Sequence, residues 1–118
     1  MWLEYGVEKI FEDLGYKTAC GVYILGASGV YHEVDLLAEH VGQYKRVVVE
    51  CKNTEISLDD VFKLFGKMSD LGCVYGYIFS TSIGKDRDVK KLAISKNIAI
   101  IEGVLEKDKE SLKKVLSK

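Results

Sequence analysis

Asp35, Glu50 and Lys52 are the residues of this 118-residue sequence whose types and spacing point most directly to chemistry. They sit in two runs, His32-Glu33-Val34-Asp35-Leu36-Leu37-Ala38-Glu39 and Val47-Val48-Val49-Glu50-Cys51-Lys52-Asn53, separated by a break at Gly42-Gln43. Both runs read as strands, and the break reads as a tight hairpin turn with Gly at its first central position. With Gly42 and Gln43 as the two loop residues, the numbers of opposed residues sum to 85. Asp35 then faces Glu50 and Glu33 faces Lys52, with opposed Cβ atoms about 4.5–5.5 Å apart. Two carboxylates placed so repel one another unless a cation sits between them. Hard oxygens of this kind suit Mg²⁺, for which Mn²⁺ can substitute, and such an ion polarises a phosphate and lowers the pKa of an attacking water. The backbone carbonyl of Cys51 offers one more oxygen. Lys52, on the same strand face as Glu50, can orient or deprotonate that water, or neutralise charge building on the phosphate. The chemistry this spacing fits is metal-assisted phosphodiester hydrolysis.

Those strands need a frame. Leu3, Val7, Ile10, Phe11 and Leu14 recur at the spacing of an amphipathic helix that ends at Gly15. At about 100° per residue, Glu4 lies roughly 80° from the centre of that stripe, nearer the sheet than Glu8 or Glu12. Residues 17–25 read as a strand and Gly26-Ala27-Ser28-Gly29 as a turn. Ser57 with Asp60 resembles a capping box opening a helix with Leu58, Val61, Phe62, Phe65 and Met68 on one face, closed near Gly72. A strand over 74–80 follows, then a helix over 85–96 with Val89, Leu92 and Ala93 inward. A short strand over 98–101 and a terminal helix over 106–117 complete the order αβββαβαβα. Three strands on short turns followed by strand–helix–strand crossovers predict one α/β domain over 1–118, a mixed sheet with helices on both faces. The near-continuous apolar runs 47–49 and 36–38 argue that both faces are covered. The alternative for Asp35, Glu50 and Lys52, a solvated half-exposed hairpin, fits those runs less well.

Composition narrows the classes further. No apolar run approaches the about 20 residues needed to span a bilayer, and no charged-then-apolar leader opens the chain, so the expectation is no membrane and a cytoplasmic location. Cys20, Cys51 and Cys73 form no C-x-x-C pair and read as reduced structural thiols, with Cys51 pointing into the core. The net charge of −1 lacks the basic excess of a dedicated DNA-binding domain, leaving local clusters. Lys85, Arg87, Lys90, Lys91 and Lys96 form the densest one, read first as a solvated helix face. Lys63 and Lys67, one turn apart, are as well spaced for phosphates. Glu33 reads as the ion-pair partner of Lys52, with a ligand role as the alternative. His32 reads as a polar edge residue, and Ser28-Gly29 as a plain turn or a loop beside the site.

Taken together, an acid in the first helix, an Asp in one strand and Glu-x-Lys in the next resemble the PD-(D/E)xK nuclease superfamily, and within it the Mrr-type restriction endonucleases. The resemblance runs from Glu4 through Gly15-Tyr16, Gly29…Glu33-Val34-Asp35 and Val48-Val49-Glu50-Cys51-Lys52-Asn53 to Ser80-Thr81-Ser82, Leu92-Ala93 and Ile98-Ala99-Ile100-Ile101. It implies a restriction-endonuclease-like fold and a Mg²⁺-dependent endodeoxyribonuclease acting on DNA. It also implies metal held by Asp35, Glu50 and the Cys51 carbonyl, a catalytic Lys52, and Glu4 completing the site. Lys63, Lys67, Lys85 and Arg87 are the candidate nucleic-acid contacts. Val34 stands where the eponymous proline would be, and Glu50 where many Mrr-type members carry Gln. No separate stretch reads as a DNA-recognition domain. Two alternatives accompany this reading. One is a Holliday junction resolvase, which would work as a homodimer. The other is a non-catalytic nucleic-acid or protein interaction module of the same fold.

Overall fold

A computed structural model describes residues 2–104 together with 113, 114 and 116. Helix α1 (Trp2–Asp13) leads into strands β1 (Lys17–Leu25), β2 (Tyr31–His40) and β3 (Lys45–Lys52). Helix α2 (Leu58–Leu71), strand β4 (Tyr75–Ser80), helix α3 (Arg87–Ser95) and strand β5 (Ile98–Ile101) follow. This is the expected order through the last strand. The terminal helix expected over 106–117 lies outside the described residues except for Lys113, Lys114 and Leu116, which are helical.

The sheet runs β1-β2-β3-β4-β5. Its first three strands are antiparallel and β3, β4 and β5 are parallel, so the sheet is mixed as the connection lengths required. One face carries α1, whose Leu3, Val7, Ile10 and Phe11 pack on Leu36, Ala38, Val47, Val49 and Phe79. The other carries α2 and α3, whose Val61, Leu64, Met68, Val89 and Ala93 pack on Val34, Val48, Ile78 and Ile98. Val47, Val48 and Val49 are accordingly 0% exposed. A run with no polar alternation is what a strand covered on both sides needs.

Two expectations are corrected here. The β2–β3 turn is not a two-residue loop. His40 pairs with Lys45, and Val41–Gln43 form a 3₁₀ turn closed by Tyr44 N–H donating to the Val41 carbonyl. The left-handed backbone falls on Tyr44, at φ 51°, rather than on Gly42. Because the longer loop is centred on the same two residues, the register is unchanged, from His40↔Lys45 to Leu36↔Val49. The second correction concerns α2, which buries Val61, Leu64, Met68 and Leu71 and leaves Leu58 and Phe62 exposed. Two apolar stripes overlap on this helix, and β4 selects between them. At Gly76 a Cβ atom would stand 2.6 Å from the Met68 sulfur and 3.2 Å from Leu64, so the missing side chain is what lets that stripe seat. The capping box is as expected, with Ser57 Oγ accepting from Asp60 N–H and Asp60 accepting from Ser57 N–H.

Candidate active site

The site lies where β2 and β3 part. Their ladder ends at Leu36↔Val49, and one step further the same register sets Asp35 opposite Glu50. In place of a ladder bond, Asp35 Oδ2 accepts the Cys51 N–H at 2.8 Å. An extended residue sends its N–H and C=O to the same edge, so the Cys51 carbonyl also faces this gap. Side-chain alternation breaks at the same point: Leu36 and Ala38 pack under α1, yet Val34 packs under α2. Opposite Asp35 across the β1–β2 register stands Gly21, unpaired between Cys20↔Leu36 and Val22↔Val34 and at φ +57°. A residue with no Cβ takes that conformation without penalty. The kink it permits turns the Asp35 carboxylate into the gap.

Glu50 faces α2. Burial, then the hydrogen-bonding Asp35 carboxyl and its charge, push the Glu50 carboxyl up to about 7, against the opposing pull of Lys67. Desolvation disfavours the ion and a neighbouring carboxylate disfavours it again. This is a pair of acids short of positive charge. Lys67, from α2, meets part of that need: its Nζ donates to Glu50 Oε1 at 3.0 Å and to the Glu33 carbonyl at 2.7 Å. Lys52 bonds elsewhere. Its Nζ lies 2.6 Å from Asp60 Oδ1, and that pair holds the Asp60 carboxyl below the usual carboxylate range despite partial burial. A cleft of about 190 Å³ opens here, lined by Glu50, Cys51, Lys52, Asp60, Lys63 and Lys67 among others.

The structure therefore brings Asp35, Glu50, the Cys51 backbone and Lys52 together. It does not gather Glu4 or Glu33 with them: among the described residues no cluster of three or more His, Cys, Asp or Glu side chains could hold a metal. Glu4 is half-buried, and its charge is felt at Cys51 and Cys20. Nor does Glu33 pair with Lys52. Its carboxylate meets the hydroxyl of Tyr23, its cross-strand partner on β1, since the β2–β3 ladder has ended before position 33 would oppose Lys52. Cys51 is half-buried and packs against the α1-side core. Its thiol is pushed far up by burial, then by Asp35, Glu4 and Glu50, which keeps it from acting as a nucleophile.

Residues 2–105 match the family model Mrr_cat, restriction endonuclease. The chain belongs to the Mrr_cat restriction endonuclease family. It is also 36% identical over 89 residues to the uncharacterized protein MJ1664 of Methanocaldococcus jannaschii, a match covering 74% of this chain and 38% of that protein. Protein VC1899 from Vibrio cholerae, a crystal structure, superposes with a TM-score of 0.70 at 22% identity, over 98% of this chain and 32% of that one. The fold is restriction-endonuclease-like, as the resemblance implied. This Mrr_cat domain thus spans about two fifths or less of the length of these two longer proteins.

The remaining candidates of the Mrr_cat domain are scattered. Lys63 pairs with Asp59 on the exposed surface of α2 at 3.2 Å. Lys85 and Arg87 are exposed at the start of α3, away from the cleft lining. Lys90 pairs with Glu102 at 2.9 Å, and Lys96 lies 4.7 Å above the Phe65 ring. His32 is no simple edge residue: with Ser28 Oγ it meets Asp70 Oδ2, each at 2.6 Å, and Ser28 N–H donates to Asp70 Oδ1. The 26–29 turn is thereby tied to the end of α2. Sequence reasoning missed Asp60 and Asp70. Asp60 carried a signal, since a capping acid eight residues after Lys52 can serve both. Among the described residues, no helix is long and apolar enough to cross a membrane.

Proposed function

We propose that this domain is the catalytic unit of a Mg²⁺-dependent endodeoxyribonuclease, with Mn²⁺ able to substitute, hydrolysing DNA phosphodiester bonds. The observation that carries this reading is the Asp35–Glu50 pair. Two carboxylates converge at the split of a buried sheet, with a main-chain carbonyl directed into the same gap and Lys52 two residues on. Family membership supports the same reaction class.

The donor set fits a hard divalent cation: two carboxylates, one of them pushed up by burial and then by the other, and one carbonyl. Asp35, Glu50 and the Cys51 carbonyl would hold it. When bound, such an ion supplies charge stabilisation at the phosphate and a more acidic water. Asp35 is fixed for this by its bond from Cys51 N–H, and Glu50 by its place beside Asp35. Lys52 orients the attacking water and offsets charge on the phosphate oxygens. Asp60 holds it at the mouth of the cleft. Glu4, from the α1 face, adds negative charge behind Cys51. Lys63, beside the cleft, and Lys85 and Arg87, further off, would meet flanking phosphates. A separate recognition domain or partner, and a homodimer, belong to the same proposal.

The test is a cleavage screen on plasmid, modified, single-stranded and four-way-junction DNA with Mg²⁺, Mn²⁺ and Ca²⁺. Cleavage should require Mg²⁺ or Mn²⁺, stop with EDTA and fail with Ca²⁺. Equal cleavage in chelator by a clean preparation would overturn the mechanism. Symmetric nicking confined to four-way junctions would move the substrate to junction DNA.

A further inference from the structure

Beyond Leu36↔Val49 the two strands that carry the acids share no ladder pair, and a lysine from a different element stands in the opening. Lys67 Nζ bonds the Glu33 carbonyl on β2 and the Glu50 carboxylate on β3. Its side chain is 28% exposed and that of Glu50 21%, so the pair is largely withdrawn from water. The lysine of the Glu-x-Lys motif is not the one that neutralises Glu50; it is engaged by Asp60. The two lysines have divided the work: one is held toward the cleft, the other toward the acids.

We infer that Lys67 is a positioning residue that serves as the resident counter-ion of the Asp35–Glu50 pair, occupying Glu50 Oε1 until a divalent cation displaces it. The inference rests on the proposed metal-binding role of that pair. Its physical content is competition. An ammonium on Glu50 relieves part of the repulsion between two opposed carboxylates and so stabilises the metal-free protein. A divalent ion arriving at the same oxygens must break that pair and tolerate a nearby positive charge. The bond to the Glu33 carbonyl supplies the alternative seat: Lys67 can release Glu50 and stay anchored to β2 without leaving the cleft. Its displaced charge then faces the same cleft as Lys52 and Lys63, where a phosphate would be met.

Competition has a sign that a merely structural lysine would not give. Mn²⁺ alone is titrated calorimetrically at pH 8 into wild type, Lys67→Met, Lys67→Gln and Lys67→Arg. Lys67→Gln keeps a donor for the Glu33 carbonyl and carries the test should Lys67→Met fold poorly. Both neutral variants should melt lower than wild type in EDTA, bind Mn²⁺ roughly tenfold more tightly, and gain more melting temperature from it. Lys67→Arg, which keeps the charge, should bind as wild type does. In wild type, Mg²⁺ should release the Lys67 ammonium from Glu50, read as faster exchange of its protons in amine-selective NMR spectra. Equal or weaker Mn²⁺ binding by the neutral variants, with wild type binding normally, overturns the inference while leaving the metal site intact. A wild type that binds no Mn²⁺ overturns both.

Discussion

Glu50 makes a residue-scale prediction with a definite sign. Its carboxyl, pushed up to about 7 by burial and by Asp35, ionises near 4.5 in the unfolded chain. Below pH 4.5 both states hold the proton and folding is unpenalised. As pH rises toward 7 the unfolded state gains from ionisation first, so stability falls across that window, by on the order of 2–3 kcal/mol. Denaturant midpoints in EDTA should therefore drop between pH 5 and pH 8 in wild type, and Glu50→Gln should flatten that slope. Excess Mg²⁺ should recover the loss in wild type only. Asp35→Asn keeps an oxygen for the Cys51 N–H, so it should stabilise the metal-free protein and lose the gain from metal. If it melts lower in EDTA and gains as much, the two acids share no cation. Lys52 and Asp60 separate positioning from stability. Lys52→Ala should abolish cleavage with metal affinity nearly unchanged. Asp60→Asn retains acceptors for the helix cap but frees Lys52, so the cleavage rate should fall by up to about a hundredfold, while stability changes by no more than about 1 kcal/mol.

Elements explain what the sequence could and could not reveal. The Glu-x-Lys strand, the apolar run that buries it and the register to Asp35 follow from side-chain alternation and a loop centre, which survive a change of turn type. What alternation cannot report is the kink. Nothing in Glu33-Val34-Asp35 announces that residues 34 and 36 face opposite ways, and the glycine that permits it lies on the neighbouring strand. The missed partners, Asp60 and Asp70, and the unforeseen pairing of Lys67 with Glu50 have the same origin: all three reach the site or the hairpin from α2, and helix-to-sheet side-chain contacts have no period in the sequence. The α2 core stripe was ambiguous until Gly76 was placed under it. A prediction at this scale concerns Gly21. A Cβ there meets nothing within 4 Å, so Gly21→Ala carries only the backbone penalty at φ +57°, roughly 1–2 kcal/mol. Gly21→Asn should be milder and Gly21→Val worse. Activity should decline in the same order as Asp35 loses its kink. Equal stability for all four proteins would remove Gly21 from the argument.

For the molecule as a whole, charge is divided between faces although the total is −1. Helix α1 carries Glu4, Glu8, Glu12 and Asp13 against Lys9, while the cleft on the α2 side sets Lys52, Lys63 and Lys67 against Glu50 and Asp60. A polyanion is therefore expected to approach from α2. Lys63→Ala should weaken DNA binding uniformly across sequences and lower the slope of log affinity against log salt by about 0.9. An unchanged slope would place the DNA elsewhere. The strand order has a consequence of another kind. Every later strand lies beside the one made just before it, so the sheet can be laid down in the order of synthesis, through short turns from β1 to β3 and through longer helical crossovers to β4 and β5. Helix α1 is the exception. It is made before the strands, and Leu36 and Ala38 of β2 cover part of its apolar face before Val47, Val49 and Phe79 of β3 and β4 complete the cover. During translation the apolar face of Leu3, Val7, Ile10 and Phe11 therefore stays partly open until β4 has emerged, which leaves a surface that a ribosome-associated chaperone can hold in the meantime.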